Sequence, residues 1–221
     1  MKASSYTCFI VSIFVLFSIS SAASYDPVDF DAFLQCLPQH SDHTVSIAGA
    51  ILTPNNASFL STYQLRANNL RILLSATSRP VAIITALHPS HAQAAVICAK
   101  RHGFQLRIRS GGHDYEGLSY ISDVPFVILD MFNLKSIDID MKTETAWVQA
   151  GATTGELYYS IAQKSDVHGF PSGVCTTLGI GGHFSGGSSS RQSVLQDQVR
   201  LLQSSDSQTR VRDLMASFDG H

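Results

Sequence analysis

The sequence carries little charge of either sign. Lys and Arg total 15 and Asp and Glu total 17 among 221 residues, a formal net charge of −2. It has no basic stripe interleaved with aromatics, so the electrostatic footprint of a nucleic-acid binder is missing. Beyond the N-terminus no apolar run approaches the roughly 18–20 residues that span a bilayer, and no stable membrane insertion is expected. His113, Asp114 and His183 lack compact ligand spacing, which argues against a metal site. Cysteine is scarce as well, with only Cys8, Cys36, Cys98 and Cys175 present.

What is present begins with Met1-Lys2, the apolar run Cys8–Ile19 and the small-residue exit "SSAAS". A charged start, a short apolar centre and small residues describe a secretory signal peptide, residues 1–23, cleaved after Ala23. Three cysteines then remain for an oxidising compartment, and an odd number needs an explanation. Cys36 and Cys98 lie in helix-like segments, where a bridge would staple the N-terminal arm to the body. Cys175 sits among glycines and hydroxyls and is read as the unpaired one. Asn56-Ala57-Ser58 is an N-glycosylation sequon in a polar stretch.

About 200 residues follow the signal, enough for one domain with its own core. "DPVDFDAFLQCLPQ" has helical spacing and is expected to end at Pro38. "SFLSTYQLRANN" reads as another short helix. "PVAIITAL" reads as a buried strand, and Ser90 as the N-cap of "HAQAAVICAKRHG". "QLRIRS" alternates like a strand with one solvated face. "PFVILDM", "SIDID" and "TAWVQAG" give three further short strands. "TTGELYYSIAQKS" reads as a helix, with Thr153 and Glu156 spaced for a capping box. The fold class is α+β, with several short strands and no regular strand–helix alternation. Beyond Gly187 the chain becomes polar and rich in Ser, Gln and Arg, so residues 188–221 are expected to form a separate, divergent tail.

Two glycine-rich stretches carry the chemistry. In "RSGGHDYEGLSY", Gly111 and Gly112 lack Cβ, and consecutive N–H groups there can form an anion-binding nest. Arg109 adds a positive charge nearby, and His113 would stand beside whatever the nest holds. The plainer alternative is a glycine turn with a surface histidine. In "PSGVCTTLGIGGHFSGG", Cys175 is surrounded by Gly173, Gly179, Gly181, Gly182, Gly186 and Gly187, as if backbone lay flat against a large planar ligand. "HGFPSGVCTTLGIGGHFSGG" as a whole reads as a loop. The dinucleotide fingerprint GxGxxG is incomplete, because Phe184 stands where its last glycine belongs and no strand leads in. A histidine and a free cysteine, each in its own glycine loop, suit two attachments to one flavin. A neutral imidazole can attack the 8α position, and a thiolate of lowered pKa can attack C6.

These two stretches closely resemble the berberine bridge enzyme-like proteins of plants, within the vanillyl-alcohol oxidase or p-cresol methylhydroxylase group of FAD-linked oxidases. The similarity covers about Phe30 to Gly187 and includes "ILTPNNASFLSTYQLRANNLR" and "QAGATTGELYYSIAQ". It implies a p-cresol methylhydroxylase-type FAD-binding domain over residues 24–187, present in part. It implies FAD bonded at His113 and Cys175, with Ser110, Gly111 and Gly112 holding the pyrophosphate. Ser119, Gly179 and Gly182 would line the site, Cys36–Cys98 would match the family's disulfide, and Leu178 would sit near the flavin ring and restrict oxygen.

Family members continue well past the point where this similarity stops. The function expected is that of a secreted FAD-linked oxidoreductase removing hydride from an alcohol-type small molecule, with the substrate domain and the family's catalytic base missing from this chain. His183 is a weak substitute for that base and reads better as structural. The alternatives are an inactive flavin-binding fragment and a secreted glycoprotein with a partner-binding role.

Overall fold

The computed structural model describes residues 28–75, 78–170 and 172–185. The expected signal peptide, the tail from residue 188, Gly186 and Gly187 lie outside the described residues.

The first layer is a four-stranded sheet in the order β1-β2-β4-β3. Its strands are β1 (Ile51–Leu52), β2 (Ala82–Thr85), β3 (Gln105–Arg109) and β4 (Phe126–Asp130). β2, β4 and β3 run parallel, with Ile84 opposite Leu129 and Arg109 opposite Asp130, while β1 joins β2 antiparallel. Every residue of β4 is buried, as expected of a central parallel strand covered on both faces. Val127 and Leu129 face a cluster with Phe33, Leu37, Ala95 and Cys98. Phe126 and Ile128 face a second cluster with Phe59, Tyr63 and Tyr120.

Two helices cover the first face. Helix α1 (Phe30–His40) starts at Asp29, whose carboxylate accepts a hydrogen bond from the Ala32 amide. The expected stop at Pro38 is not where the helix ends, because Pro38 lies in the last turn. There it forfeits only its own bond to the preceding turn, and the helix runs on to His40. Two shorter helices, α2 (Phe59–Leu65) and α3 (Leu70–Ser75), lead from the sequon region toward β2. Helix α4 (Pro89–Arg101) connects β2 to β3 and is capped by His88, not by Ser90 as expected. Pro89 has its φ preset and no amide to satisfy, so it takes the first helical position and moves the cap one residue upstream of it. His88 Nδ1 accepts from the Ser90 amide at 3.3 Å. A disulfide joins Cys36 of α1 to Cys98 of α4 across 62 residues, and closing a loop of that length stabilises the fold by about 4 kcal/mol. Cys175 is free and exposed.

The second unit is an antiparallel hairpin of β5 (Ile137–Asp140) and β6 (Thr145–Val148), covered by α5 (Thr154–Ala162). Ile139, Ala146, Leu157, Ile161 and Ile180 form its core. The capping box at α5 is complete: the Glu156 amide donates to Thr153 Oγ1, and the Thr153 amide donates to the Glu156 carboxylate at 2.9 Å. The last helix among the described residues, α6 (Ile180–Ser185), occupies part of the stretch read as a loop. Its glycines disfavour helix, but burial of Ile180 and the bond from its amide to the Ala152 carbonyl, at 2.8 Å, override propensity.

Candidate functional site

The loop that leaves β3 and the loop that precedes α6 meet across a cavity of about 850 Å³. That volume falls within the roughly 300–1,000 Å³ of small-molecule sites. Ser110, Gly111, Gly112, His113 and Ser119 line it from the first loop, Leu178 and Gly179 from the second, and Gly182 from α6 itself.

Glycine serves several purposes here. Gly111 and Gly179 face each other so closely that a Cβ on either would overlap the other's backbone. Gly112 has φ +65°, and a Cβ there would overlap the Arg66 carbonyl oxygen. Gly182 differs: a Cβ there would meet nothing within 4 Å, so the space beside it is open to a ligand.

Arg109 does not supply the expected positive charge to this cavity. Its side chain is fully buried and turned the other way, where its guanidinium meets Asp130 Oδ2 at 2.7 Å and donates to the carbonyls of Thr62 and Tyr63. Arg66 reaches the same carboxylate oxygen at 2.7 Å while lying over the Phe132 ring. Arg109 therefore anchors the root of the loop. The cation on the cavity wall is Arg107, two residues earlier in the same alternating run, and its Nε has no hydrogen-bond partner among the described residues. Burial lowers the Arg107 pKa, against the opposing pull of Asp123 and Asp114.

The two serines are also engaged within the protein. Ser110 Oγ donates to the Ala150 carbonyl at 2.6 Å, and Ser119 Oγ donates to the Asp114 carboxylate. Their hydroxyl protons tie down the loop. The amides of Gly111, Gly112 and His113, by contrast, have no acceptor among the described residues. Free consecutive amides, the open space at Gly182 and the cavity volume together suit a large ligand with an anionic group.

His113 and Cys175, 62 positions apart in the chain, come together through Thr177. Thr177 Oγ1 lies 2.8 Å from His113 Nε2 and 3.6 Å from Cys175 Sγ. The Thr177 hydroxyl, then its amide and the Leu178 amide, hold the Cys175 pKa below its ordinary value. Sequence reasoning missed Thr177, although a hydroxyl two residues after the cysteine was a usable signal. His183 reaches the cavity wall, but its Nε2 pairs with Ser172 Oγ at 2.7 Å. Among the described residues, His113, Asp114 and His183 do not form a cluster of potential metal ligands.

A family model for an FAD binding domain matches residues 80–214. The chain belongs to the FAD-binding domain family. Its relatives there are berberine bridge enzyme-like proteins. Berberine bridge enzyme-like 8 of Arabidopsis thaliana is 48% identical over 184 residues, 82% of this chain and 34% of the relative. Tetrahydroberberine oxidase of Berberis wilsoniae is 48% identical over 181 residues, 79% of this chain and 33% of the relative. The chain thus spans about a third of the length of the curated relatives it matches. Among solved structures, BBE-like #28 from Arabidopsis thaliana superposes with a TM-score of 0.63 at 42% identity, over 71% of this chain and 29% of that one. Phl p 4, a grass pollen allergen with glucose dehydrogenase activity, superposes with a TM-score of 0.64 at 40% identity, over 70% and 31%. These likenesses agree with an α+β FAD-binding fold present in part.

Proposed function

We propose that this chain is the FAD-binding portion of a secreted, berberine bridge enzyme-like oxidoreductase, glycosylated at Asn56, whose flavin is bonded to both His113 and Cys175. The observation that carries the reading is the Thr177 bridge, which brings Cys175 beside His113 on the cavity wall, two nucleophiles from separate glycine loops. FAD, when bound, would supply the hydride acceptor for oxidation of an alcohol-type small molecule.

The residues divide the work of holding it. The free amides from Gly111 to His113 would take the pyrophosphate, Arg107 would add positive charge, and Gly182 would let the ring approach. Of the two proton arrangements that satisfy the bridge at both ends, one suits nucleophilic attack by both residues. His113 Nε2–H donates to Thr177 Oγ1, and the Thr177 hydroxyl donates to the Cys175 sulfur. That tautomer leaves the Nδ1 lone pair as the nucleophile of His113. It also stabilises Cys175 as a thiolate, the form in which sulfur reacts. The half-buried Leu178, which lines the cavity, would restrict oxygen and give dehydrogenase character.

The test is made on the secreted, purified chain. Flavin fluorescence persisting in the denatured band, with FAD mass on the peptides of His113 and Cys175, is the expected result. A colourless chain with both peptides unmodified would overturn the proposal.

A further inference from the structure

The first glycine loop lines the cavity, and its carbonyls are held from outside the loop. The segment Arg66–Asn69 runs behind that loop. Asn68 Nδ2 donates to the Gly111 carbonyl at 2.7 Å and to the Gly112 carbonyl at 3.2 Å, and the Asn68 amide donates to the Gly112 carbonyl at 3.3 Å. Next to it, Asn69 Nδ2 donates to the Tyr115 carbonyl at 3.0 Å. In a planar trans peptide the C=O of one residue and the N–H of the next point in opposite directions. Holding the Gly111 carbonyl back therefore aims the Gly112 amide forward, and holding the Gly112 carbonyl back aims the His113 amide forward. These are two of the amides without an acceptor among the described residues.

We infer that Asn68 is a positioning residue for anion binding: its side-chain amide fixes the carbonyls of Gly111 and Gly112 so that consecutive N–H groups present a site for the diphosphate of a dinucleotide. Asn68 touches no ligand in this arrangement and acts through the loop. The inference rests on the cofactor reading above. The left-handed backbone of Gly112, set against the Arg66 carbonyl, fits the same arrangement, because only glycine lets the two segments lie this close.

The experiment uses the full chain carrying His113→Ala and Cys175→Ala, so that binding is reversible while both backbone amides remain. FAD, inorganic pyrophosphate and riboflavin are titrated with and without Asn68→Ala. Asn68 is exposed, so its truncation leaves the core untouched. The expected result is a loss of about five- to tenfold in affinity for FAD and pyrophosphate, the scale of one or two hydrogen bonds, with riboflavin binding unchanged. Equal losses for FAD and riboflavin would mean a general loosening and overturn the inference, as would unchanged FAD binding. In the parent chain, pyrophosphate should also slow hydrogen exchange at the Gly112 and His113 amides, and absence of that protection counts against the inference whatever the variant does. A parent chain that binds neither FAD nor pyrophosphate overturns the cofactor reading and this one with it. Binding by the parent that survives Asn68→Ala intact removes only the role of Asn68.

Discussion

The two glycine loops reach the same cavity by different means. In the first, side-chain amides of Asn68 and Asn69 hold the carbonyls back. In the second, the start of helix α5 does so: the Thr154 amide donates to the Leu178 carbonyl, the Gly155 amide to the Thr176 carbonyl, and Thr154 Oγ1 to the Cys175 carbonyl at 2.7 Å. The first N–H groups of a helix have no partner within it, so α5 satisfies its own orphan donors on the loop. One loop is thus set by replaceable side chains and the other mainly by backbone. Point substitutions should therefore disturb the first loop more selectively than the second.

The largest effect is expected at the root of the first loop. Asp130→Asn removes the carboxylate shared by Arg66 and Arg109 and leaves a buried guanidinium uncompensated, a cost of about 3–5 kcal/mol, read by denaturant unfolding. Retained stability would show that Arg109 finds other acceptors. Gly112→Ala should cost about 2–4 kcal/mol, combining left-handed backbone with overlap at Arg66, while Gly182→Ala, exposed within α6 and meeting open space, should raise the unliganded chain's unfolding midpoint, by up to about 1 kcal/mol of helix propensity. On the second loop, Thr154→Val should cost only about 1 kcal/mol, since the helix amides stay in place. A loss as large as that at Gly112 would erase the contrast between the loops.

Glu156→Gln should change stability by a few tenths of a kcal/mol at neutral pH, the scale of a weakened cap. Burial works to raise the Glu156 pKa, but the bonds from Thr153 and the pairing with Lys135 outweigh it, so the folded value is lowered. A lowered folded pKa contributes stability above the unfolded value, near pH 4.3, and loses it as pH falls through the folded value. The gap between parent and variant in a pH series of thermal unfolding should therefore close on the acid side. Smallest in stability is Thr177→Val, which should leave unfolding unchanged but move the pH midpoint of Cys175 alkylation upward. An unmoved midpoint would show that the Thr177 hydroxyl does not support the thiolate.

Much of this was legible in the sequence because the signals were local. The buried strand "PFVILDM", the capping box at Thr153 and the glycine stretches each declare themselves within a dozen residues. The cap of α4 was misplaced because Ser90 is the commoner cap type, while Pro89 constrains the start more strongly. Helix α6 was unreadable because its stability comes from Ile180 packing on the hairpin unit, not from its glycine-rich composition. Arg109 was assigned to the ligand because sequence proximity carries no direction. Its partner Asp130 is 21 residues away across the sheet. Asn68 lies 43 residues from Gly111, and nothing in its own surroundings marks it.

The mutual contact of Gly111 and Gly179 has a consequence for engineering. Because each glycine occupies the space that the other's side chain would need, the two loops form a single joint with no slack on either side. A graft that brings one loop from a relative while leaving the other must reproduce that fit from one side only. The natural unit of exchange between such proteins is the pair of loops, moved together.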